Sequence, residues 1–252
     1  MSEDAWGTPL RLDAAATSIV GSVRDHNEDA ACSHPDIGLA AVADGLGGHN
    51  AGERASGIAI EVLEERLRGA REAGRPPSVE ELLAAFDAAN ARIRTDAKEN
   101  PEREGMGTTL TSILVTEGRV LLAHIGDSRA WRVRDGVVEQ LTRDHTLVEQ
   151  QVREGVLTAE QAEVHPMRHV LSRCLGAQDT IEVDLAEGDV AIDDIYVLAS
   201  DGLVHGLTKE DVAQIVLASA EAATASETLV NTACERDGQD NITAAVLICR
   251  DS

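Results

Sequence analysis

The segment LTSILVTEGRVLLAHIGDSRAWRVR, residues 110–134, alternates apolar runs with short turns and determines which kind of sheet the chain can form. Runs rich in Val, Ile and Leu at 110–116, 119–125 and 128–134 are typical of β-strands. Glu117-Gly118 and Asp135-Gly136 supply tight turns beside these runs. Because a tight turn joins strands that run in opposite directions, this segment predicts an antiparallel meander.

Helices are predicted on both sides of the meander by apolar residues at three- and four-residue spacing. Ser78 and Glu81 form a capping-box pattern at the start of one of them. The predicted helices span 51–68, 78–93, 208–218 and 226–235, and further strands are predicted at 37–43, 195–200 and 242–249. This order favours an α+β layered fold over a doubly wound parallel sheet. Since no linker interrupts it, we expect a single domain over residues 1–252, with an edge strand before Gly21.

The chain is strongly acidic, with 45 Asp and Glu against 22 Lys and Arg and a formal net charge of -23. Such a charge repels nucleic acid and anionic membranes, although it is equally typical of a solvated surface that keeps a protein soluble. The four cysteines form no C-x-x-C pair, and the sequence has neither a basic–apolar leader nor a run of about 18 apolar residues. We therefore expect a soluble cytoplasmic protein that does not bind nucleic acid or insert into a membrane.

Acidic residues recur where apolar runs end or turns begin. They are Glu28-Asp29, Asp44-Gly45, Asp127-Ser128, Asp201-Gly202 and Asp240-Asn241. Taken singly, each is more typical of a turn or a helix cap than of a ligand. Several strand ends can nevertheless converge on one spot, and converging carboxylates need cations. Oxygen donors without Cys or His select Mg²⁺, Mn²⁺ or Ca²⁺, so the set favours a two-metal site.

The glycine-rich segment DGLGGH, residues 44–49, has a second interpretation as a nucleotide-binding loop. It lacks the G-x-x-x-x-G-K pattern, and Asn50 stands where G-x-G-x-x-G requires its last glycine. We therefore favour a metal-binding turn, in which glycine lets a backbone carbonyl approach an ion.

Seven segments, in order along the chain, resemble the motifs of the metal-dependent type 2C Ser/Thr protein phosphatases (PPM family) in their compact bacterial form. They are 21–29 (GSVRDHNED), 42–49 (VADGLGGH), 105–110 (GMGTTL), 124–129 (HIGDSR), 141–145 (LTRDH), 198–202 (LASDG) and 238–243 (GQDNIT). The resemblance covers nearly the whole chain. It implies a four-layer αββα sandwich with a central antiparallel β-sandwich and with the metals at one end of it.

The same resemblance implies a set of ligands for two Mn²⁺ or Mg²⁺ ions and for a third ion. The implied ligands are Asp44 between two metals, Asp201 and Asp240 on the first, Glu28 and the Gly45 carbonyl on the second, Asp29 through water, and Asp127 with Asp201 on the third. The implied reaction is hydrolysis of phosphoserine and phosphothreonine in proteins by a water or hydroxide that bridges two metals.

Two further residues have implied catalytic roles. Arg24 would hold the phosphate oxygens with its planar guanidinium. His49 resembles the residue proposed as general acid in bacterial members, although a histidine there could equally orient a metal-bound water. No C-x-x-x-x-x-R element accompanies the four cysteines, so a thiolate phosphatase is not expected.

Residues 146–176 occupy the place of a flap that lies beside the active site in relatives. His169 stands where the family pattern usually has Asn, while Arg168 and Arg173 are either phosphopeptide contacts or ordinary solvated or paired arginines. The implied partners are phosphorylated proteins and a cognate bacterial eukaryotic-like Ser/Thr kinase, and we expect a monomer. Two alternatives stay open: an inactive binding module that keeps the fold, and a phosphatase dedicated to one signalling switch.

Overall fold

The structure is a computed structural model that describes residues 10–47 and 50–251. Its strands are β1 (Leu10–Ile19), β2 (Asp29–His34), β3 (Leu39–Leu46), β4 (Gly107–Thr108), β5 (Leu110–Thr116), β6 (Arg119–Ile125), β7 (Arg129–Arg134), β8 (Val137–Gln140), β9 (Asp184–Asp189), β10 (Ile195–Ala199) and β11 (Ile242–Asp251). Its helices are α1 (Asn50–Glu72), α2 (Val79–Glu99), α3 (Leu147–Arg153), α4 (Ala159–Glu163), α5 (Asp201–Gly206), α6 (Lys209–Ala218) and α7 (Ala222–Arg236), with a 3-10 turn at Pro101–Arg103. Within the described ranges, no helix has the length and apolar character needed to cross a membrane.

The strands form two antiparallel sheets. One sheet has the order β1-β11-β10-β7-β8, and the other has the order β2-β3-β5-β6-β9 with β4 paired to β3. The two predicted hairpin turns are present, since β5 pairs with β6 and β7 pairs with β8. The expected edge strand before Gly21 is also present as β1.

The predicted meander is wrong in one respect, because β6 and β7 belong to different sheets. Gly126 lies between them with a φ of 118°, a backbone conformation that glycine adopts without a steric penalty. The turn at Gly126-Asp127 therefore carries the chain from one sheet to the other and places Asp127 at the end of the sandwich.

Three apolar cores separate four layers. Side chains alternate along a strand, so Ala40 and Val42 of β3 pack between the sheets with Tyr196 and Leu198 of β10. Leu39 and its alternate neighbours in β3 pack on the other face against α1 and α2. The outer face of β10 and β11 packs against α5, α6 and α7. The layers are therefore helix, sheet, sheet, helix, which confirms the predicted α+β four-layer sandwich.

The capping box predicted at the start of α2 is confirmed. Ser78 Oγ accepts a hydrogen bond from Glu81 N over 3.4 Å, and Glu81 Oε2 accepts one from Ser78 N over 3.0 Å. Thr208 caps α6 through the same reciprocal arrangement with Asp211. These side chains satisfy backbone groups that the first helical turn leaves unpaired, so each helix begins at its capping hydroxyl.

The predicted start of the last helix is wrong. α7 begins at Ala222, and Ser226 lies inside the helix, where its Oγ donates to the Ala223 carbonyl. The cap comes from another element, because Asp13 of β1 accepts a hydrogen bond from Ala222 N over 3.0 Å. A cap supplied by a residue so distant in the chain leaves no local pattern in the sequence.

Some elements lack a clear sequence signal altogether. β9 has the sequence DLAEGD and is mostly exposed at the edge of its sheet, so no apolar run marks it. The short helices α3 and α4 lie inside the predicted flap and have few buried residues. Hydrophobic periodicity reports burial, and these elements bury too little to show it.

Candidate metal centre

The acidic residues meet at one end of the sandwich because of the way the strands pair. In one sheet β2 and β3 are antiparallel, and Asp29 at the start of β2 lies opposite Asp44 near the end of β3. In the other sheet β10 and β11 are antiparallel, so Asp201, two residues after β10, and Asp240, two residues before β11, lie at the same end. Asp127 follows β6 at the crossing between the sheets. Both sheets thus bring their carboxylates to one rim.

An open cavity of about 770 Å³ lies at this rim. Of the seven residues expected to hold metals, six line it: Glu28, Asp44, Gly45, Asp127, Asp201 and Asp240. Arg24, expected to bind phosphate, lines it as well. Asp29 does not line it, and His49, the expected general acid, lies outside the described residues.

Asp29 connects the two sheets behind this cavity. Its Oδ2 accepts hydrogen bonds from Ser200 Oγ over 2.7 Å and from Thr243 Oγ1 over 2.6 Å. Burial raises the pKa of Asp29 to about 7, although the two hydroxyl bonds favour the ionised form. Asp29 is therefore held in a fixed orientation next to the cavity by both partners.

The carboxylates of the cavity are crowded and half-buried. Burial is the main cause that raises the pKa of Asp44 and of Asp201, and it raises the pKa of Asp127 to about 7. Repulsion between neighbouring carboxylates adds to the effect at each of the three. Divalent cations would remove this repulsion and restore the ionised forms. A donor set of carboxylate and carbonyl oxygens fits Mg²⁺ or Mn²⁺.

The backbone around Asp44 and Gly45 is closely packed. The Gly45 amide donates to the Glu28 carbonyl over 3.1 Å. A Cβ at Gly45 would lie 2.4 Å from that carbonyl oxygen and 2.3 Å from the Gly52 carbonyl oxygen of α1, so only glycine fits. Thr109 holds the neighbouring residue, because its Oγ1 accepts from Asp44 N over 2.8 Å. These contacts fix the positions of a carboxylate and a carbonyl at the cavity.

Asn241 is a positioning residue that the sequence analysis did not single out. Its Oδ1 accepts from Glu28 N over 2.8 Å, and its Nδ2 donates to the Val20 and His26 carbonyls, each over 2.9 Å. These bonds hold the loop that carries Arg24 and Glu28 against the start of β11. An Asn after an Asp is an ordinary turn pattern, so its sequence context alone does not reveal this role.

The arginines expected near the substrate behave differently from one another. Arg24 donates a hydrogen bond to Asp240, and Arg168 lines the cavity without an ion pair to any residue in the described part of the chain. Arg173 is instead paired, since its Nη1 donates to Asp184 Oδ1 over 2.9 Å and to the Glu182 carbonyl over 3.2 Å. Of the two flap arginines, only Arg168 is placed to reach a ligand in the cavity.

Comparison with known proteins shows which family the chain belongs to. The sequence matches the family described as protein phosphatase 2C over residues 22–234. It is 39% identical over 241 residues to the serine/threonine protein phosphatase PstP of Mycobacterium tuberculosis, an alignment that covers 94% of this chain and 45% of that protein. The chain thus spans about half the length of that relative. It is also 31% identical over 235 residues to the serine/threonine phosphatase Stp of Listeria monocytogenes, covering 92% of this chain and 93% of that protein.

A solved structure shares the fold. The catalytic domain of the phosphatase PstP in complex with two manganese ions superposes with a TM-score of 0.85 at 36% identity, covering 96% of this chain and 100% of that chain. The family match covers most of the chain, and the sequence and fold similarities cover nearly all of it. The chain belongs to the protein phosphatase 2C family.

Proposed function

We propose that this protein is a metal-dependent phosphatase that hydrolyses phosphoserine and phosphothreonine in proteins and so reverses a bacterial eukaryotic-like Ser/Thr kinase. One observation carries the proposal: half-buried carboxylates from two sheets converge on a single open cavity. Their raised pKa values indicate a site suited to cations. The relatives described above are Ser/Thr phosphatases, which supports the substrate class.

Two Mn²⁺ or Mg²⁺ ions would be held by the oxygen donors of the cavity. Asp44 would lie between them, Asp201 and Asp240 would complete the first site, and Glu28 with the Gly45 carbonyl would complete the second. Bound ions would neutralise the phosphate charge and make a water between them acidic enough to attack phosphorus near neutral pH.

Asp127 and Asp29 would have separate tasks. Asp127, with Asp201, would take a third ion, because both line the cavity and the charge of Asp201 raises the pKa of Asp127 by repulsion. Asp29 would act through water, since its Oδ2 is already engaged by Ser200 and Thr243.

Arg24 would bind the phosphate. Its side chain is 51% exposed, so it is free to leave Asp240 and turn towards a ligand. The planar guanidinium offers two parallel N–H donors that match two phosphate oxygens. Arg24 would thereby align the phosphorus for attack opposite the leaving oxygen.

The leaving group needs a proton. Attack by water forms a new P–O bond and breaks the P–O bond to the Ser or Thr side chain, which departs as an alkoxide unless it is protonated. We assign this proton transfer to His49, because an imidazole donates and accepts protons near neutral pH.

The test is hydrolysis of a phosphothreonine peptide and of p-nitrophenyl phosphate with Mn²⁺, with Mg²⁺ and with EDTA. We expect turnover with either ion and none with EDTA. Asp240→Asn should lower kcat/KM by about 100-fold or more, since losing several kcal/mol of transition-state stabilisation has that effect. Asp87→Asn, an exposed residue of α2, is the matched control and should retain activity.

Metal binding by the same samples separates the outcomes. A folded wild type that binds Mn²⁺ but turns over neither substrate would contradict the proposed phosphatase and favour an inactive binding module. Equal activity of Asp240→Asn and wild type would contradict the assignment of this cavity as the metal centre.

A further inference from the structure

Two histidine rings lie beside the cavity, one on the flap and one on the core. His169 belongs to the segment that follows α4, and His205 belongs to α5. Their ring centroids are 5.4 Å apart, and the rings are nearly perpendicular at 83°. One donor atom from each ring and one carboxylate oxygen of Asp201 all lie within 4.8 Å of one another.

The imidazole nitrogens of this pair are available to a ligand. Among residues 10–47 and 50–251, neither the His169 ring nor the His205 ring has a hydrogen-bonding partner, and both residues are exposed at the cavity wall. The donor atoms of a second cluster, formed by Cys32, His34 and Glu64, also lie within 4.8 Å of one another, but its histidine ring is already hydrogen-bonded. Both ring nitrogens of His34 are engaged, one by Arg68 and the other by Glu64. A metal would have to break those bonds first.

The donor set of the first cluster differs from that of the acidic centre. Two imidazoles with one carboxylate suit divalent transition metals such as Zn²⁺, Ni²⁺ and Fe²⁺, whereas Mg²⁺ prefers oxygen alone. Asp201 is also assigned to the first metal and the third ion of the acidic centre, and the four or so lone pairs on its two carboxylate oxygens leave room for one more contact. The negative potential of Asp201 and the neighbouring Asp240 would attract a cation and offset the positive charge of Arg168 on the flap.

We propose that His169, Asp201 and His205 form a binding site for one divalent transition-metal ion beside the phosphatase centre. Because His169 lies on the flap and His205 on α5, an ion held there would tie the flap to the core of the protein. The type 2C pattern usually has Asn at position 169, so the site would be a feature of this chain. This inference rests on the proposed function only because Asp201 belongs to both sites. Its test measures metal binding and does not require phosphatase activity.

The first measurement is calorimetric titration of Ni²⁺ into tag-free protein held in saturating Mg²⁺. We expect the wild type to bind one more equivalent of Ni²⁺ than His169→Asn or His205→Asn. If a variant still binds this additional ion, its Ni²⁺ affinity should be lower by more than about 10-fold. Losing a residue that only supports a metal ligand already lowers metal affinity by that factor. His165→Asn makes the same change elsewhere on the flap and should bind as the wild type does.

A second measurement reports the tie between flap and core. Amide hydrogen exchange in residues 147–171 should slow when Ni²⁺ is added to the wild type and to His165→Asn, but not in His169→Asn. Equal Ni²⁺ stoichiometry and affinity in all four proteins would overturn the site. Exchange that is unaffected by Ni²⁺ in the wild type would overturn the tie.

These results are independent of the phosphatase assay. Protein that binds the additional Ni²⁺ through both histidines but lacks Mn²⁺-dependent turnover would keep this inference and contradict the proposed function. Protein that hydrolyses phosphopeptide but binds no histidine-dependent Ni²⁺ would support the proposed function and overturn the histidine site.

Discussion

Arg24 Nη2 donates a hydrogen bond to Asp240 Oδ2 over 2.7 Å. The residue assigned to phosphate and a residue assigned to a metal are thus paired with each other. When phosphate binds Arg24 and a cation binds Asp240, the ion pair between the two residues is broken. Binding of either ligand releases the partner residue, so it should favour binding of the other ligand. The loop that carries Arg24 is itself fastened by Asn241 through the carbonyls of Val20 and His26, which limits how far Arg24 has to move.

Arg24→Lys should impair the reaction while leaving metal binding intact. Lysine keeps the charge but lacks the two parallel donors of the guanidinium. We expect kcat/KM on a phosphothreonine peptide to fall about 10- to 100-fold, because a hydrogen bond to a charged group contributes about 1.5–3 kcal/mol. Arg66→Lys, an exposed position on α1, is the control. Unchanged kcat/KM in Arg24→Lys would remove Arg24 from phosphate binding.

Gly45→Ala should disturb both the fold and the centre. The added Cβ would lie 2.3–2.4 Å from two backbone oxygens, so Glu28 or the start of α1 must shift. We expect a loss of about 1–3 kcal/mol in the free energy of unfolding together with weaker Mn²⁺ binding. Gly57→Ala is the matched control, since its Cβ would meet nothing within 4 Å and alanine favours a helix by up to about 1 kcal/mol. Equal effects of the two substitutions would contradict this prediction.

Without metal, the acidic centre should make the protein less stable as pH rises. Asp29 and Asp127 have pKa values of about 7 in the folded protein against a reference of 3.8. Between these values the folded state binds more protons than the unfolded state, so the free energy of unfolding falls with rising pH. The stabilising effect of these protons is complete below pH 3.8 and is lost as pH passes through about 7.

This pH dependence can be measured as the Tm of wild type and of Asp127→Asn in EDTA from pH 4 to pH 8, a range that includes the folded-state pKa of about 7. Their difference isolates the Asp127 carboxyl from buried groups with the opposite dependence, such as His124, whose pKa burial lowers to about 4. We expect the wild type to lose more Tm than the variant over this range, and Mn²⁺ to abolish the loss. Parallel curves in EDTA would count against a raised pKa at Asp127.

Thr243→Val should weaken metal binding without unfolding the protein. The substitution removes the hydroxyl that donates to Asp29 Oδ2 over 2.6 Å and keeps the side-chain shape. We expect Mn²⁺ affinity to fall about 10-fold, the usual effect of losing a residue that orients a metal site. Thr116→Val is the control, because the Thr116 hydroxyl is buried and has no partner in the described structure. Equal Mn²⁺ affinity in Thr243→Val and wild type would remove Asp29 from the centre.

Asp13→Ala should reduce stability with no effect on activity. Asp13 caps α7 from a neighbouring strand, and losing a cap costs about 1 kcal/mol. Glu221→Ala is the control, because Glu221 occupies the N-cap position but its side chain makes no cap bond. Urea unfolding should show a lower midpoint for Asp13→Ala alone. A larger loss in Glu221→Ala would show that the cap has been assigned to the wrong residue.

Local patterns in the sequence were sufficient for much of the fold and most of the site. The apolar runs of the strands, the Glu117-Gly118 turn and the Ser78 capping box depend on residues only a few positions apart, and each is confirmed. The acidic residues at strand ends were recognisable because a carboxylate beside a turn follows directly from the chain. Five of these six acidic residues then line one cavity, as expected from strand pairing.

Other features depend on residues that are distant in the sequence, and only the tertiary structure decides them. The sheet that β7 joins, the capping of α7 by Asp13 and the anchoring of the Glu28 loop by Asn241 leave no local trace. The proximity of His169 and His205 is of the same kind. The sequence determined which residues are candidate ligands and which segments form strands and helices, because turn signals and side-chain periodicity are local. Packing of the two sheets decided which of them meet, because burial of apolar surface is a property of the whole chain.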